Sequence, residues 1–593
     1  MAARRPKESP LRVAMRLGTA PLAFAGVFSL VSNLLYLALP IYTNQIYSRV
    51  LISQSQASLW VLTFGILFVF GVSAVMDVIR KQVLIDFGVV FDRYLSGRVF
   101  AALFDLVAQR RATPRSQALR DLDMFKATLT GEAVSVLFDV PWIPIFMLSL
   151  FFIGPLIGWV NLVGGALLLL LAFLQDRATR RTMEAGADQS IESYAFTEAA
   201  LRNSEVVRAL GMLPTLGTEW ARRRQAMNER TAKSYEVQNA YSNSIRMLRL
   251  FVQILTIAVG ALLIMEQKLP SGMLFANMIL TARALQPIDR LVASWNQLVA
   301  AKGAYDRLEG LLDTWEPPTP VTQLPRPEGH VVVEQMGFAM PGAPRLLLSN
   351  VNFEVRPGET VGVVGQSGAG KSTLARMLVG VWKPFSGHVR LDGAEIFAWD
   401  RANFGRVAGY LPQDVELFSG TVRDNIARFR EDATDEAVVE AAKLANAHEL
   451  ILSLAKGYDT ELGEGGAVLS GGQRQRIGLA RAVFGSPALV VLDEPNAALD
   501  AAGEEALLVA LSALKERGAT VIIVSHKASV FRSADKIIYL KDGRVELFGP
   551  RDAVFAQLAN PAGGPRPAPG PAPVGAPAPA VQAPEPPAQE VAV

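Results

Sequence analysis

The run Gly365-Gln366-Ser367-Gly368-Ala369-Gly370-Lys371-Ser372-Thr373 brings three glycines, a lysine and two terminal hydroxyl residues together. Glycines let main-chain N–H groups close around phosphate oxygens, and a following helix N-terminus adds positive potential. At this spacing Lys371 reaches the β- and γ-phosphates of a nucleotide, and Ser372 offers its hydroxyl to Mg²⁺. Such a loop works only between a buried strand and a helix. Val361-Gly362-Val363-Val364 reads as the strand, and the amphipathic stretch beyond Thr373 as the helix.

A phosphate loop needs a carboxylate for its metal, delivered from a second buried strand. Ala488-Leu489-Val490-Val491-Leu492-Asp493-Glu494 is an apolar strand ending in two acids, with Pro495 closing it. Asp493 is placed for Mg²⁺, and Glu494 can take a proton from an attacking water. An acidic pair after an apolar run is commonplace by itself. Its value comes from following the phosphate loop at the distance of one α/β domain.

The elements that carry these residues occupy only half of the chain. Of 593 residues 50% are hydrophobic and 19% charged, against about 25% charged in an ordinary soluble domain. Cysteine is absent, which excludes disulfides, thiol nucleophiles and thiolate metal sites. The net charge of +3 gives no basic surface for nucleic acid. Six apolar stretches of bilayer-spanning length read as 21–42, 59–79, 136–153, 156–174, 247–266 and 270–290. The third and fourth form a tight hairpin around Gly154 and Pro155, and Pro141 and Pro144 should kink the third, freeing backbone groups that need partners or a wet cavity.

Basic residues set the orientation. Arg4, Arg5, Lys7, Arg12 and Arg16 precede the first span; Arg80, Lys81, Arg93, Arg98, Arg110 and Arg111 follow the second. Arg177, Arg180, Arg181, Arg222, Arg223, Arg224 and Arg230 follow the fourth, whereas the opposite loops hold little more than Arg49 and Lys268. Both termini and both long connections are therefore expected in the cytoplasm. Those connections are poor in Gly and Pro and read as helices running far beyond the bilayer. Residues 1–314 thus form a transmembrane domain. The proline-dense 315–327 is a linker, 328–560 an α/β domain, and 561–593, with 11 prolines, a disordered tail.

Between the two nucleotide motifs lies Leu469-Ser470-Gly471-Gly472-Gln473, opening a helix with Arg474, Gln475 and Arg476. This stretch resembles the signature of ABC transporter ATPases. The resemblance extends to Gln413 in Leu-Pro-Gln-Asp as the Q-loop glutamine, Asn496 to Asp500 as the D-loop, and His526 as the switch histidine. It implies that ATP is held by the phosphate loop, Gln413, Ser470, Gly471, Gly472, Gln473 and Asp500. Mg²⁺ is held by Ser372, Gln413 and Asp493, with Glu494 and His526 catalytic. In this family nucleotide is sandwiched between the loop of one subunit and the signature of another. One copy of each with six spans implies a homodimerising half-transporter with two hydrolytic sites. Thr460-Glu461-Leu462-Gly463-Glu464 resembles the X-loop of exporters. One departure is Met340, which falls where the family's adenine-stacking tyrosine is expected; a thioether can still cover a ring face.

The fold class implied is a multidomain membrane protein: an all-α six-helix transmembrane domain of the type I ABC exporter kind, then an α/β P-loop ABC ATPase domain. The membrane half resembles the ATPase subunits of bacterial type I protein secretion. The stretches that carry this are Leu37 to Tyr42, Tyr47 to Leu51, Phe138 to Phe146, Arg283 to Pro287 and Trp295 to Gln297. That resemblance implies export of an unfolded protein with an uncleaved C-terminal signal. The exporter would sit in bacterial inner-membrane lipid and work with a periplasmic membrane-fusion adaptor and an outer-membrane duct. The 20 residues before the first span leave no room for an N-terminal peptidase-like domain, so the substrate is expected to leave unprocessed. Arg283, inside the sixth apolar stretch, either lines the conducting path or snorkels at a helix end. The alternative reading is a lipid or drug exporter of the same fold. A membrane-anchored regulator or channel is opposed by the intact Glu494, His526 and signature.

Overall fold

In the computed structural model, residues 9–109, 117–316, 324–340, 345–466 and 468–559 are described. The tail 561–593, the basic residues Arg4, Arg5, Lys7, Arg110 and Arg111, and Pro317, Pro318, Pro320, Pro341 and Gly342 lie outside them. The chain forms two compact units, Met1–Pro317 and Pro318–Val593.

The first unit is helical throughout its described residues. Five of its helices are long and apolar enough to cross a membrane: Thr19–Ser53, Gln56–Ala108, Glu132–Ile153, Pro155–Arg180 and Leu213–Met265. At 1.5 Å per residue the 53-residue Gln56–Ala108 spans about 80 Å, far more than the roughly 30 Å of a bilayer core. The first crossing is interrupted. Thr19–Leu35 stops at Tyr36 and Leu37, and a new helix, Ala38–Gln45, starts with Pro40 in its first turn, where a missing N–H costs nothing. Gly154 takes an extended conformation (φ −171°, ψ 130°) that ends Ile143–Ile153, and Pro155 opens the next helix, giving the expected hairpin. Around Pro141 and Pro144 the helix narrows to a 3₁₀ turn, Val140–Trp142. The Phe138 carbonyl beside it accepts a hydrogen bond from Ser29 Oγ at 3.0 Å.

The stretch 270–290 departs from its expectation as a sixth apolar span. It belongs to the helix Met273–Thr314, which is not among those apolar enough to qualify, since it carries Arg283, Asp289 and Arg290. This helix is an interior one: Ala276, Asn277, Leu280, Thr281, Ala284 and Leu285 are buried, and Asp289 pairs with Arg249 at 2.7 Å. Contacts among helices satisfy what lipid cannot. Asn161 Nδ2 donates to Thr256 Oγ1 at 3.2 Å, and Asn277 Nδ2 donates to the Thr256 carbonyl at 3.1 Å. By contrast Trp60, Phe64 and Phe68 face outward, 59–73% exposed, as lipid-facing side chains do.

The second unit contains a six-stranded sheet ordered Arg544–Pro550, Lys536–Lys541, Thr360–Gly365, Thr520–Val524, Leu489–Asp493, Ala408–Leu411. All pairs are parallel except the first. The inner strands are buried on both faces, which explains their unbroken Val/Ile/Leu runs. A four-stranded antiparallel sheet built on Val331–Ala339 covers the phosphate-loop side. A helical cluster around Val438, Ile451, Ile477 and Leu479 packs on the other face of the core.

Candidate nucleotide site

Val524 lies in register with both Val363 and Asp493. The phosphate loop, the Asp493-Glu494 pair and the Ser525-His526 pair therefore leave the sheet at the same edge, beyond the carboxyl ends of parallel strands, where such sheets bind ligands.

The loop between Gly365 and Lys371 is shaped by its glycines. Gly368 and Gly370 have φ of 82° and 100°, which L side chains rarely adopt. At Gly365 a Cβ would lie 2.2 Å from the Leu540 carbonyl oxygen. Between these glycines, Gln366 accepts a turn hydrogen bond from the Ala369 N–H at 3.2 Å across Ser367. Helix Lys371–Leu378 begins immediately after Gly370 with no side-chain cap, so its first-turn N–H groups, including those of Ser372 and Thr373, keep no intrahelical partner. Lys371 is buried, and its Nζ donates to the carbonyls of Gly365 and Gln366, each at 2.9 Å. Burial pushes its pKa below the ordinary lysine value, against the pull of Glu494 and Asp493.

Ser372 Oγ donates to Asp493 Oδ1 at 3.2 Å. Asp493 is fully buried, its Oδ2 has no hydrogen-bond partner, and burial raises its pKa above the usual carboxylate range. A buried oxygen without a donor is costly, and a divalent cation would satisfy it. Among the described residues no cluster of three or more His, Cys, Asp or Glu forms a metal cage. One carboxylate with a hydroxyl suits Mg²⁺, which keeps waters and substrate phosphates in its shell. Tyr410, on the neighbouring strand, is held neutral by burial and by Asp493, its pKa raised to about 12. Arg376 opposes that shift and lies 5.0 Å over the Trp382 ring.

Glu494 is the point of convergence. Gln413 Nε2 donates to its Oε2 at 3.3 Å, and His526 Nε2 lies 3.3 Å from its Oε1. Its backbone sits in the left-handed region (φ 51°), a strain that persists where surroundings over-determine it. Here the Glu494 N–H donates to the Val524 carbonyl at 2.9 Å, and Gln475 Nε2 donates to the Glu494 carbonyl at 3.2 Å. This role of Gln475 was not read from the sequence. The signal was available: Gln475, Gly478, Leu479 and Ala482 share the buried face of helix Gly471–Val483, so a glutamine there must find a partner.

The signature residues form a separate group. Ser470 caps helix Gly471–Val483 reciprocally with Gln473: the Ser470 N–H donates to Gln473 Oε1 at 2.9 Å, and the Gln473 N–H to Ser470 Oγ at 3.3 Å. A Cβ at Gly472 would lie 2.9 Å from the Ala498 carbonyl, so the turn is seated on the segment from Asn496 to Asp500; Gly471 lies beside the same alanine. Asp500 caps the next helix through the Gly503 N–H at 2.8 Å and accepts from Arg476 at 3.3 Å. Among the described residues no hydrogen bond joins Ser470 to Gln473 with the chain's own phosphate loop. Glu461–Leu462, in the expected X-loop, pairs with Gly420–Thr421 as a short antiparallel ribbon. Met340 is half-buried against the sheet core.

Residues 348–497 match the ABC transporter family, and 22–287 match the ABC transporter transmembrane region, so this is a multi-pass membrane protein. Over 562 residues the chain is 40% identical to the type I secretion system ATP-binding protein PrsD of Rhizobium meliloti, covering 95% of this chain and 97% of that one. It is 32% identical to the cyclolysin secretion/processing ATP-binding protein CyaB of Bordetella pertussis, over 89% of this chain and 75% of that one. The leukotoxin translocation ATP-binding protein LktB of Mannheimia glucosida is 28% identical over 88% and 74%. In fold it resembles a bacterial Atm1-family ABC exporter solved with ATP bound, with a TM-score of 0.79 at 24% identity over 93% and 99% of the two chains. This chain belongs to the ABC transporters, as a half-transporter of the type I secretion ATP-binding proteins whose ATPase is coupled to transport.

Proposed function

We propose that this chain is the homodimeric ATPase and permease of a bacterial type I secretion system, moving an unfolded protein with a C-terminal signal across the inner membrane. The observation that carries this is the 40% identity to PrsD across both units of the chain. The helix Met273–Thr314 serves as the sixth crossing, both termini face the cytoplasm, and a periplasmic membrane-fusion adaptor and an outer-membrane duct protein complete the path.

In the ATP site, residues Gly365 to Thr373 cradle the phosphates, and Lys371 trades its loop carbonyls for phosphate oxygens. Asp493, Ser372 and Gln413 would hold Mg²⁺, which when bound would supply positive charge beside the phosphoryl oxygens. Glu494 orients the attacking water and takes its proton, while Gln413 and His526 fix the carboxylate from two sides. Ser470 to Gln473 completes the site of the partner subunit, and Asp500 steadies that turn through Arg476.

Deleting the protein is expected to remove one or a few proteins from the extracellular fraction, and fusing the C-terminal segment of such a protein to a reporter should export the reporter. An unchanged set of secreted proteins, with altered lipid composition or drug tolerance, would transfer the chain to the lipid or drug exporters.

A further inference from the structure

Arg283 does not snorkel free at a helix end. It lies over the Tyr36 ring at 3.4 Å, donates to Gln286 at 3.3 Å, and lines a cavity of about 430 Å³ within the helical unit. Arg80, Lys81 and Arg290 line the same cavity, opposed by Asp77, Glu132 and Asp139. Arg283 lies inside the stretch 270–290, where a charge is expensive and is kept where it acts, while Arg80 and Lys81 lie just beyond 59–79, so the cavity straddles the expected membrane edge.

Two of the acids are already engaged. Arg80, its side chain only 9% exposed, pairs with Asp139 at 2.9 Å and with Asp77 at 3.5 Å. Asp139 also accepts from Ser29 at 2.9 Å and Asn33 at 3.3 Å, and Asp77 accepts from Ser32 at 3.1 Å. Among the described residues no carboxylate lies within ion-pair distance of Lys81, Arg283 or Arg290, so the cavity holds three uncompensated cations against Glu132 alone. The buried Arg80 Nε also lacks an acceptor.

Arg283 is half-buried whereas Lys81 and Arg290 are exposed. Guanidinium groups without a carboxylate partner favour an anion, and a carboxylate is the geometric match for their paired donors. The rest of the lining decides which carboxylate. Asn33, Thr130 and Ser135 donate within the helical unit and leave amide and hydroxyl oxygens that can accept beside the cations. An extended polypeptide leaving water for the membrane needs such partners for its main chain. A lipid headgroup would meet the same cations but would bring acyl chains against a lining whose aliphatic members are Ile85 and Val136.

We propose that this cavity is a carboxylate-binding subsite of the export path, in which Arg283 and Arg290, helped by Lys81, hold acidic side chains of the passing polypeptide. The assignment rests on the protein-export reading above. It is tested on the full-length protein in nanodiscs with two fluorescent Gly/Ser-rich peptides that differ only in carrying glutamates or glutamines. The glutamate peptide is expected to bind roughly tenfold more tightly, the gain of one or two charge-assisted hydrogen bonds. It should also raise each variant's own ATPase rate more than its twin does, with the difference shrinking at high salt. R283Q with R290Q erases the preference, R283K with R290K keeps most of it, and R283E with R290E shifts it toward a lysine-bearing peptide. Equal binding of the twins, a preference surviving in R283Q with R290Q, or displacement of the glutamate peptide by soluble short-chain phosphatidylglycerol at low concentration overturns the subsite. If no unfolded peptide of either kind binds or stimulates, it is the protein-export reading that fails.

Discussion

Asp139 and Asp493 are both largely buried carboxylates beside apolar segments, and the chain treats them oppositely. Asp139 is surrounded by its own donors, Ser29, Asn33 and Arg80, and ties three helices together. Asp493 has Ser372 on one oxygen and nothing on the other. A buried charge is tolerated only when paired, so an oxygen left bare marks a position that something else must complete. Glu494, one residue on, is a third case: half its partners, Gln413 and His526, come from separate loops and hold a carboxylate that stays accessible. The difference supports the proposed division between Asp139 as a structural acid and Asp493 and Glu494 as acids of the nucleotide site.

That contrast can be broken in four ways, in descending size of effect. E494Q removes the base while preserving shape, and phosphate release should fall by roughly 10² to 10⁴ with ATP still bound; a near-normal rate would move the base elsewhere. D139N takes a charge partner from buried Arg80 and should destabilise the helical unit by about 3 kcal/mol, seen as earlier thermal unfolding in detergent. Q475L removes the donor that steadies the strained Glu494 backbone. It should lower kcat about tenfold, the worth of one hydrogen bond, with KM for ATP unchanged.

The smallest effect has the opposite sign. Burial raises the pKa of Asp493, so its favourable contribution is fully present below the ordinary carboxylate pKa and is lost as pH rises through the raised value. At neutral pH the bare charge therefore costs stability. D493N should raise the melting transition of the nucleotide-binding unit by roughly 2–4 °C in Mg²⁺-free buffer, about 1 kcal/mol. The gain should narrow as the pH is lowered toward the carboxylate range. A melting point that falls instead would show Asp493 to be as well compensated as Asp139.

The two regions also differed in how far they could be read in advance. The phosphate loop was legible because its chemistry is contiguous and its flanks change from strand to helix within a few residues. Glu494, Gln413 and His526 are far apart in the chain and were joined only through the family resemblance; the convergence on one carboxylate is a property of the parallel sheet register. In the helical unit, length and hydropathy located the crossings, and the scarcity of Gly and Pro gave the long extensions. The break at Tyr36 and Leu37 was missed, since nothing apolar changes there. Arg283 sets 270–290 apart from an ordinary apolar span in the sequence, but the Asp289–Arg249 pair and the Tyr36 ring that make Met273–Thr314 an interior helix come from other helices. The Arg80–Asp139 pair joins residues on different helices and leaves no local trace in sequence.

In the proposed function, hydrolysis at Glu494 drives protein export. The direct measurement is release of the extracellular protein lost on deletion, in cells complemented with wild-type or E494Q protein at equal membrane levels. Wild type should restore release and E494Q should not; restoration by E494Q would contradict the claim.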